Sequence, residues 1–531
     1  MQSVVIKKLN ESHGYISQCD KDTINDLYEY LSFYVNGYKY MPSYKNGMFD
    51  GKVHLLDRRT HMFPLGLIYY ISDFLKVKNI PYLVEDDVRN SFVQSVSKAD
   101  FQDFVQSIKM FSKGERIIPR DDQIYAVYEA ITKKRCVNIC PTSFGKSLSI
   151  TLECIWFIKQ SMKCLIVVPR KNLVEQFAND IADYATNERG EKEPWFPNIQ
   201  KIYTGKSKVL SEDTDICIST WQSLSSLEDD FVNNFDLIVL DECHTGAAKV
   251  VQKVVLNATD VSYRTGWTGT LSNETLNELL VTGLFGPAKE ITTTKELMDK
   301  KIVAQLSIVL VRLIYEENEC RSMCNLEYAA QSARIEDDQR RDKVLMNIVR
   351  YQNKTGLILF KHKIYAKRLH ETAQKTFPDR NVYLFYADHY QINDKIYKNL
   401  EDIKPMIEND PSGIIIANYQ LVGTGMSIKN LNWMMFAVPF KSFISVIQGI
   451  GRILRVSKVK TKAMLIDIVD DFSYRSKPRK IGSKGAIHTN YAVRHFSERF
   501  DIYNRNKFDY KILNIHVKSE SEETTRDVLD I

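Results

Sequence analysis

Two short stretches of the 531-residue chain combine residue types able to act on a phosphate ester. The first is Cys140-Pro-Thr-Ser-Phe-Gly-Lys-Ser147, which follows the strand-like run Arg135–Ile139 and precedes a helical run from Leu148. A bound phosphate calls for backbone N–H groups converging at a helix N-terminus, a lysine charge, and a hydroxyl that can reach Mg²⁺. Gly145, Lys146 and Ser147 supply these, with Pro141, Thr142, Ser143 and Phe144 forming the loop before them. The common P-loop begins with glycine, and Cys140 holds that position here. The second stretch, Leu237-Ile-Val-Leu-Asp-Glu-Cys-His244, is an apolar run ending in paired carboxylates. In a nucleotide hydrolase such a pair divides the work: Asp241 holds Mg²⁺ through water, and Glu242 polarises the attacking water. A Gly-Lys-Ser tripeptide alone arises by chance, and an Asp-Glu pair at a strand end is often a solvated turn. In this order and context they read together as a site for ATP and Mg²⁺.

The surrounding elements must hold those loops. Cys164–Val168, Asp215–Ser219, Leu237–Leu240, Gly356–Phe360 and Ser412–Ala417 are short apolar runs bounded by turn residues and followed by helical periods. Such runs predict buried parallel strands with crossover helices, an α/β architecture. The series extends from near Arg116 to near Asp471, enough for two parallel sheets with a junction near Lys300. The N-terminal region departs from this pattern. Phe33–Tyr40 and Val53–Leu56 read as strands, Asn46-Gly47 and Asp50-Gly51 as hairpin turns, and Phe63–Val77 as a helix. The expected organisation is a small α+β accessory domain over 1–112, parallel-sheet domains over 113–300 and 301–515, and a disordered acidic tail over 516–531.

Composition narrows the class. Hydrophobic content of 44% and charged content of 26% are those of a globular protein, and no apolar run approaches the roughly 20 residues of a membrane span. The nine cysteines contain no Cys-x-x-Cys pair and no zinc spacing, so a reducing, cytoplasmic setting is expected. A net charge of +6 permits a polyanionic partner without demanding one. Basic residues gather after Phe472, where Arg475–Lys484 reads either as a phosphate-binding arm or as a solvated linker.

Asp241-Glu242-Cys243-His244 resembles the DExH box of superfamily-two helicases, and further motifs of that family follow in order. Ile166-Val-Val-Pro-Arg170 with Leu173 and Gln176 resembles motif Ia, and Ser219-Thr-Trp-Gln-Ser223 the next DNA-contact motif. Thr268-Gly269-Thr270 resembles motif III, which couples ATP state to nucleic-acid contact, and Leu359–His362 resembles motif IV. Val422-Gly-Thr-Gly-Met-Ser427 resembles motif V, and Gln448-Gly-Ile-Gly-Arg-Ile-Leu-Arg455 resembles motif VI. The resemblance covers residues 116–455. It implies two RecA-like domains in tandem. Gln448, Arg452 and Arg455 would act in hydrolysis, with Arg455 as the arginine finger and Arg452 beside it. Gly425 and Ser427 would join the nucleotide site, and Gln123 would read adenine, although Asp122 replaces the usual aromatic before it. Arg170, Thr220 and Thr424 would contact single-stranded nucleic acid, chiefly its phosphates. The competing reading for each threonine is a cap or turn hydroxyl.

The likeness extends beyond the shared domains. Phe33–Pro42, Tyr44–Asp57, Phe63–Leu67, Ile487–Tyr491 and Phe508–Tyr510 resemble the UvsW helicases of T-even-like phages. That resemblance implies remodelling of branched DNA in a bacterial host cytoplasm: fork regression, Holliday junction migration and R-loop unwinding, alongside phage replication and recombination proteins. The partners implied are branched or double-stranded DNA, DNA–RNA hybrids and single-stranded DNA in the motor cleft. Lys39, Lys45, Lys52, Arg58 and Arg59, interleaved with Tyr38, Tyr40 and Tyr44, would form a duplex-binding surface, although tyrosines spaced by two also fit one buried strand face. The motor motifs leave open an RNA-directed DExH helicase. A restriction-enzyme motor would need a nuclease domain, for which the sequence leaves no convincing room after residue 471. An ATP-regulated annealing protein is the reading from another class.

Overall fold

The computed structural model describes every residue except 1–2, 36, 206–207, 272–274, 388, 420–427, 429, 440–442, 455–459, 477–484 and 519–531. The chain divides into two compact units, Met1–Thr292 and Thr293–Ile531. The division falls ahead of the expected junction near Lys300. The helix Thr294–Asp299 has its own capping box, made by Thr293 and Glu296, and Gln305 of the second unit bonds the Met298 carbonyl at 2.5 Å.

The first unit begins with a four-stranded sheet in the order Met62–Pro64, His13–Gln18, Val4–Lys8, Tyr82–Val84. Val4, Ile6, Ile16, Leu27, Phe63 and Leu75 form its core. Leu279, from the helix Thr275–Phe285 of the following domain, belongs to the same cluster. Packing there is tight: a Cβ added at Gly66 would lie 2.0 Å from the Thr282 carbonyl oxygen. The first 112 residues therefore complete their core against a helix of the parallel-sheet domain.

Two local expectations need correction. The strand expected over Phe33–Tyr40 ends at Tyr34; Ser32–Tyr34 pairs antiparallel with Lys52–His54. Gly37 adopts φ 72°, a left-handed turn that reverses the chain into a 3₁₀ turn at Tyr38–Tyr40 and a helical turn at Pro42–Lys45, with Pro42 at its first position. The tyrosines therefore do not line a buried strand face: Tyr40 is 82% exposed, and Tyr34 and Tyr38 stack at 4.5 Å. The helix expected over Phe63–Val77 begins at Ile68, because Met62–Pro64 is drawn into the sheet beside His13–Tyr15.

The remainder of the first unit is a seven-stranded, all-parallel sheet. Its strands are β1 (Arg135–Ile139), β2 (Cys164–Val168), β3 (Ile199–Ile202), β4 (Ile216–Thr220), β5 (Leu237–Asp241), β6 (Tyr263–Thr268) and β7 (Ala288–Glu290). The order is β3-β4-β2-β5-β6-β1-β7. All five residues of β2 and of β4 are buried, as a sheet covered on both faces requires. Helix α1 (Lys146–Ile158) leaves directly from the P-loop, and α2 (Thr275–Phe285) is the helix whose Leu279 enters the accessory core.

The second unit carries a nine-stranded sheet. Its strands are β8 (Gln305–Ile314), β9 (Gly356–Phe360), β10 (Val382–Tyr386), β11 (His389–Ile392), β12 (Lys395–Tyr397), β13 (Ile414–Asn418), β14 (Trp433–Phe436), β15 (Lys462–Asp471) and β16 (Tyr510–His516). The order is β12-β11-β10-β13-β9-β14-β15-β8-β16, parallel apart from the β10-β11-β12 edge. The C-terminal region is integral to this unit. β16 pairs along β8 through His516, and the Val517 N–H reaches the Ile314 carbonyl, so the tail expected from 516 begins with ordered chain. Buried Arg499 pairs with buried Asp467 at 2.8 Å, and Arg341 with Asp470 at 2.7 Å.

Candidate nucleotide site

The P-loop residues and the carboxylate pair lie at the C-terminal ends of β1 and β5, where ligands of parallel sheets bind. The Cys140 N–H donates to the Thr268 carbonyl at 2.8 Å, tying the loop's start to the end of β6. Phe144 is fully buried under the loop, and the Phe144 N–H donates to the Pro141 carbonyl at 3.0 Å. Ser143 at φ 73° and Gly145 at φ 90° are both left-handed. Glycine at 145 is required twice over: by that backbone, and because a Cβ there would lie 2.5 Å from Gln123 Nε2. A Cβ on Gly269 would reach within 3.6 Å of Lys146 Nζ and 3.5 Å of Thr142 Oγ1. The loop and the Thr268–Thr270 turn thus enclose one cradle.

Lys146 Nζ stands 3.5 Å from Glu242 Oε1. His244 Nδ1 lies 3.3 Å from Glu242 Oε2 and 3.0 Å from Thr268 Oγ1, so DExH box and β6 turn are in contact. Burial, reinforced by the Glu242 charge, pushes the Asp241 carboxyl well above the carboxylate range. Burial acts the same way on Glu242, but Lys146 and His244 outweigh it and hold this carboxyl low. Burial also disfavours the Lys146 charge, and Glu242 and Asp241 reverse that effect, so the ammonium is retained. A buried carboxylate whose charge is poorly compensated by the protein suits a divalent cation. Among the described residues no three His, Cys, Asp or Glu side chains gather into a metal cage. Mg²⁺ needs none, because it keeps water and nucleotide oxygens and takes one or two protein ligands.

The sequence expectations meet this geometry unevenly. Lys146, Asp241 and Glu242 converge, and Ser147 follows Lys146 in the first turn of α1. Ser147 Oγ lies 2.9 Å from the Tyr184 hydroxyl, a partner in the helix Lys171–Tyr184 that no motif indicated. Gln123, expected to read adenine, is 3% exposed; its Oε1 accepts from the Arg120 N–H at 3.0 Å and its Nε2 donates to the Phe144 carbonyl at 2.9 Å. The amide thus grips the P-loop, and Arg120 joins it on the same carbonyl at 2.6 Å. Thr220, expected at the nucleic acid, is buried, and its hydroxyl accepts from the Ser223 N–H at 3.2 Å as the cap of a short helix. Arg170 is exposed at the end of β2. Arg452 lies on the helix Phe443–Ile453 with Gln448. Thr424, Gly425, Ser427 and Arg455 lie outside the described residues, as does most of the Arg475–Lys484 segment.

On the accessory domain Lys39, Lys45, Arg58 and Arg59 are exposed. Lys52 differs: it pairs with Glu29 at 2.8 Å and covers the Tyr34 ring. Arg58 bonds Asn25 at 2.7 Å and lies over Tyr28.

Residues 116–273 match the family described as type III restriction enzyme, res subunit, and residues 4–85 match the N-terminal domain family of DNA helicase UvsW. The ATP-dependent DNA helicase uvsW of Enterobacteria phage T4 is 27% identical over 507 residues, covering 94% of this chain and 97% of the phage protein. A crystal structure of T4 UvsW covers 97% of this chain and all of its own at 25% identity, with a TM-score of 0.49. The type ISP restriction-modification enzyme LlaBIII bound to DNA covers 85% of this chain and 34% of its own at 14% identity; its TM-score of 0.52 shows a shared fold.

Proposed function

We propose that this chain, an ATP-dependent helicase of superfamily two, remodels branched DNA: it regresses forks, migrates Holliday junctions and unwinds R-loops during phage replication, recombination and repair. The observation that carries the reading is the extent of the likeness to T4 UvsW, which runs through the accessory domain as well as the ATPase.

In the ATP site Ser147 and Asp241 would hold Mg²⁺, which supplies charge neutralisation on the phosphates. Lys146 brings its ammonium to the same cradle. Glu242, kept ionised beside Lys146 and His244, is suited to orient and polarise water. Gln123 and Arg120 keep the P-loop in shape from behind. By the family resemblance Gln448, Arg452 and Arg455 act in hydrolysis, the arginines through their charge and Gln448 through its neutral amide, and Gly425 and Ser427 contact the nucleotide. Arg170 and Thr424 meet single-stranded DNA phosphates in the motor. The duplex arm is held by the exposed cations Lys39, Lys45, Arg58 and Arg59, with Tyr40 free to stack; Lys52, already paired with Glu29, serves mainly to hold Tyr34.

The test is the ATPase rate alone and with single-stranded DNA, single-stranded RNA or a four-way DNA junction, with Lys146→Ala as control. Strongest stimulation by the junction, absent in the variant, supports branch remodelling. Stimulation chiefly by RNA replaces it with the RNA-directed reading.

A further inference from the structure

Glu153 lies on α1 about two helical turns beyond Lys146. It is fully buried. Its Oε1 accepts from Thr265 Oγ1 at 2.8 Å, and its Oε2 accepts from Trp267 Nε1 at 3.0 Å. Thr265 and Trp267 are alternate residues of β6, on one face of the strand, and are themselves buried. No cation is among the groups that set its ionisation; burial is the largest influence, and it pushes the carboxyl up to about 7 against the two hydrogen bonds.

Packing alone does not explain this side chain. Its helical neighbours Leu148, Ile150, Leu152 and Ile155 are buried and apolar, and a leucine would avoid desolvating a carboxyl. What a leucine could not provide is two directed bonds between α1 and β6. Those two elements end at the two halves of the nucleotide cradle. α1 starts at the P-loop, whereas β6 ends at Thr268, which bonds Cys140 through its carbonyl and His244 through its hydroxyl. A shift of β6 against α1 would move the Thr268–Thr270 turn relative to Lys146 and the DExH box.

We propose that Glu153 is a positioning residue that locks the phosphate-binding helix to the strand carrying Thr268-Gly269-Thr270, and thereby sets how strongly bound nucleic acid accelerates ATP hydrolysis. The inference rests on the helicase reading, because it assigns that turn a coupling role.

The test compares Glu153→Leu, Glu153→Gln and Thr265→Val in the full chain. Basal and polynucleotide-stimulated kcat and the KM for ATP are measured with whichever nucleic acid stimulates the parent protein most. Glu153→Leu should lower stimulated kcat about tenfold or more, with basal kcat and KM within about threefold. Glu153→Gln should restore most of the stimulation, since its oxygen can still accept from Trp267 and its amide can donate to Thr265. Thr265→Val removes one bond with little change of shape, should give an intermediate loss, and stands in for the leucine variant if that fails to fold. Unchanged stimulation in the folded variants, or equal loss of basal and stimulated rates, overturns the proposal while leaving the motor reading intact. A parent protein that no nucleic acid stimulates overturns both.

Discussion

The accessory domain should be anchored by a buried ion pair whose removal destabilises the whole first unit. Arg135, at the start of β1, is 1% exposed; its guanidinium meets Glu11 Oε2 at 2.5 Å and donates to the Ser91 carbonyl at 3.2 Å. Arg264 stands beside it in register on β6, equally buried, and donates to Ser12 Oγ at 3.0 Å. Burial and the neighbouring Arg135 both press on the Arg264 charge, and Glu11 relieves it. Glu11→Ala would therefore leave two adjacent buried cations without their carboxylate. Truncating one partner of such a pair costs about 3–5 kcal/mol. Domain stabilities are about 5–15 kcal/mol, so this is a large fraction. Urea unfolding of the full chain should show the first transition shifted down by about 1 M or more. Glu11→Ala combined with Arg135→Met should recover part of the loss, since no uncompensated guanidinium remains at 135. The effect also has a defined pH sign. Burial alone would raise the Glu11 carboxyl, but Arg135 and Lys8 outweigh it and hold it below its ordinary 4.5. Its contribution is therefore present above about 4.5 and lost as pH falls through the lower folded value. The variant and the parent should converge in acid. A single variant as stable as the parent at neutral pH, or a double variant weaker than the single, would refute the argument.

Glu242→Gln should retain ATP and DNA binding in filter assays but lose hydrolysis by about a hundredfold or more, if the carboxylate held beside Lys146 polarises water as proposed. Gly145→Ala should raise the KM for ATP about tenfold or more, since a left-handed alanine costs about 1–2 kcal/mol and its Cβ meets Gln123; adding Gln123→Ala should relieve only the contact, which steady-state kinetics of the two variants would separate. Glu153→Gln should flatten the pH dependence of stability. The parent carboxyl, raised from 4.5 to about 7, confers full stability below about 4.5 and loses up to about 3 kcal/mol as pH rises to 7; the nearby thiols Cys136, raised by burial, and Cys154, raised by its bond to Cys164 and by burial, stay neutral throughout that range. Thermal melts of variant and parent at pH 5 and pH 8 should therefore diverge in favour of the variant at the higher pH.

The parallel sheets were legible because a strand covered on both faces must be apolar throughout, and runs such as Gly356–Phe360 have few other destinations. The P-loop and DExH box were legible because phosphate and Mg²⁺ chemistry constrains contiguous residues. What escaped was whatever depended on side chains far apart in sequence. Nothing local distinguishes Gln123 as a brace for Phe144, Tyr184 as a partner of Ser147, or Glu153 as a tie to Trp267. The accessory region was misread for the opposite reason: its elements are short and set by single residues. Gly37 turns the chain before Tyr38, and Met62–Pro64 joins a strand supplied from residues 13–15.

Strands β1 and β6 connect these observations. At their starts, Arg135 and Arg264 receive Glu11 and Ser12 from the accessory domain. Midway, Thr265 and Trp267 hold Glu153 of α1. At their ends, Cys140 and Thr268 bond each other in the nucleotide cradle. Two adjacent strands of five and six residues therefore join the accessory domain to the ATP site through buried contacts at each level. A duplex gripped at Lys39, Lys45 and Arg59 would be carried with the first unit as one body. For the same reason, deleting residues 1–112 cannot isolate recognition, because it strips Arg135, Arg264 and Leu279 of their cover. Charge reversal at exposed Lys39 and Lys45 leaves that core untouched and reads the grip alone.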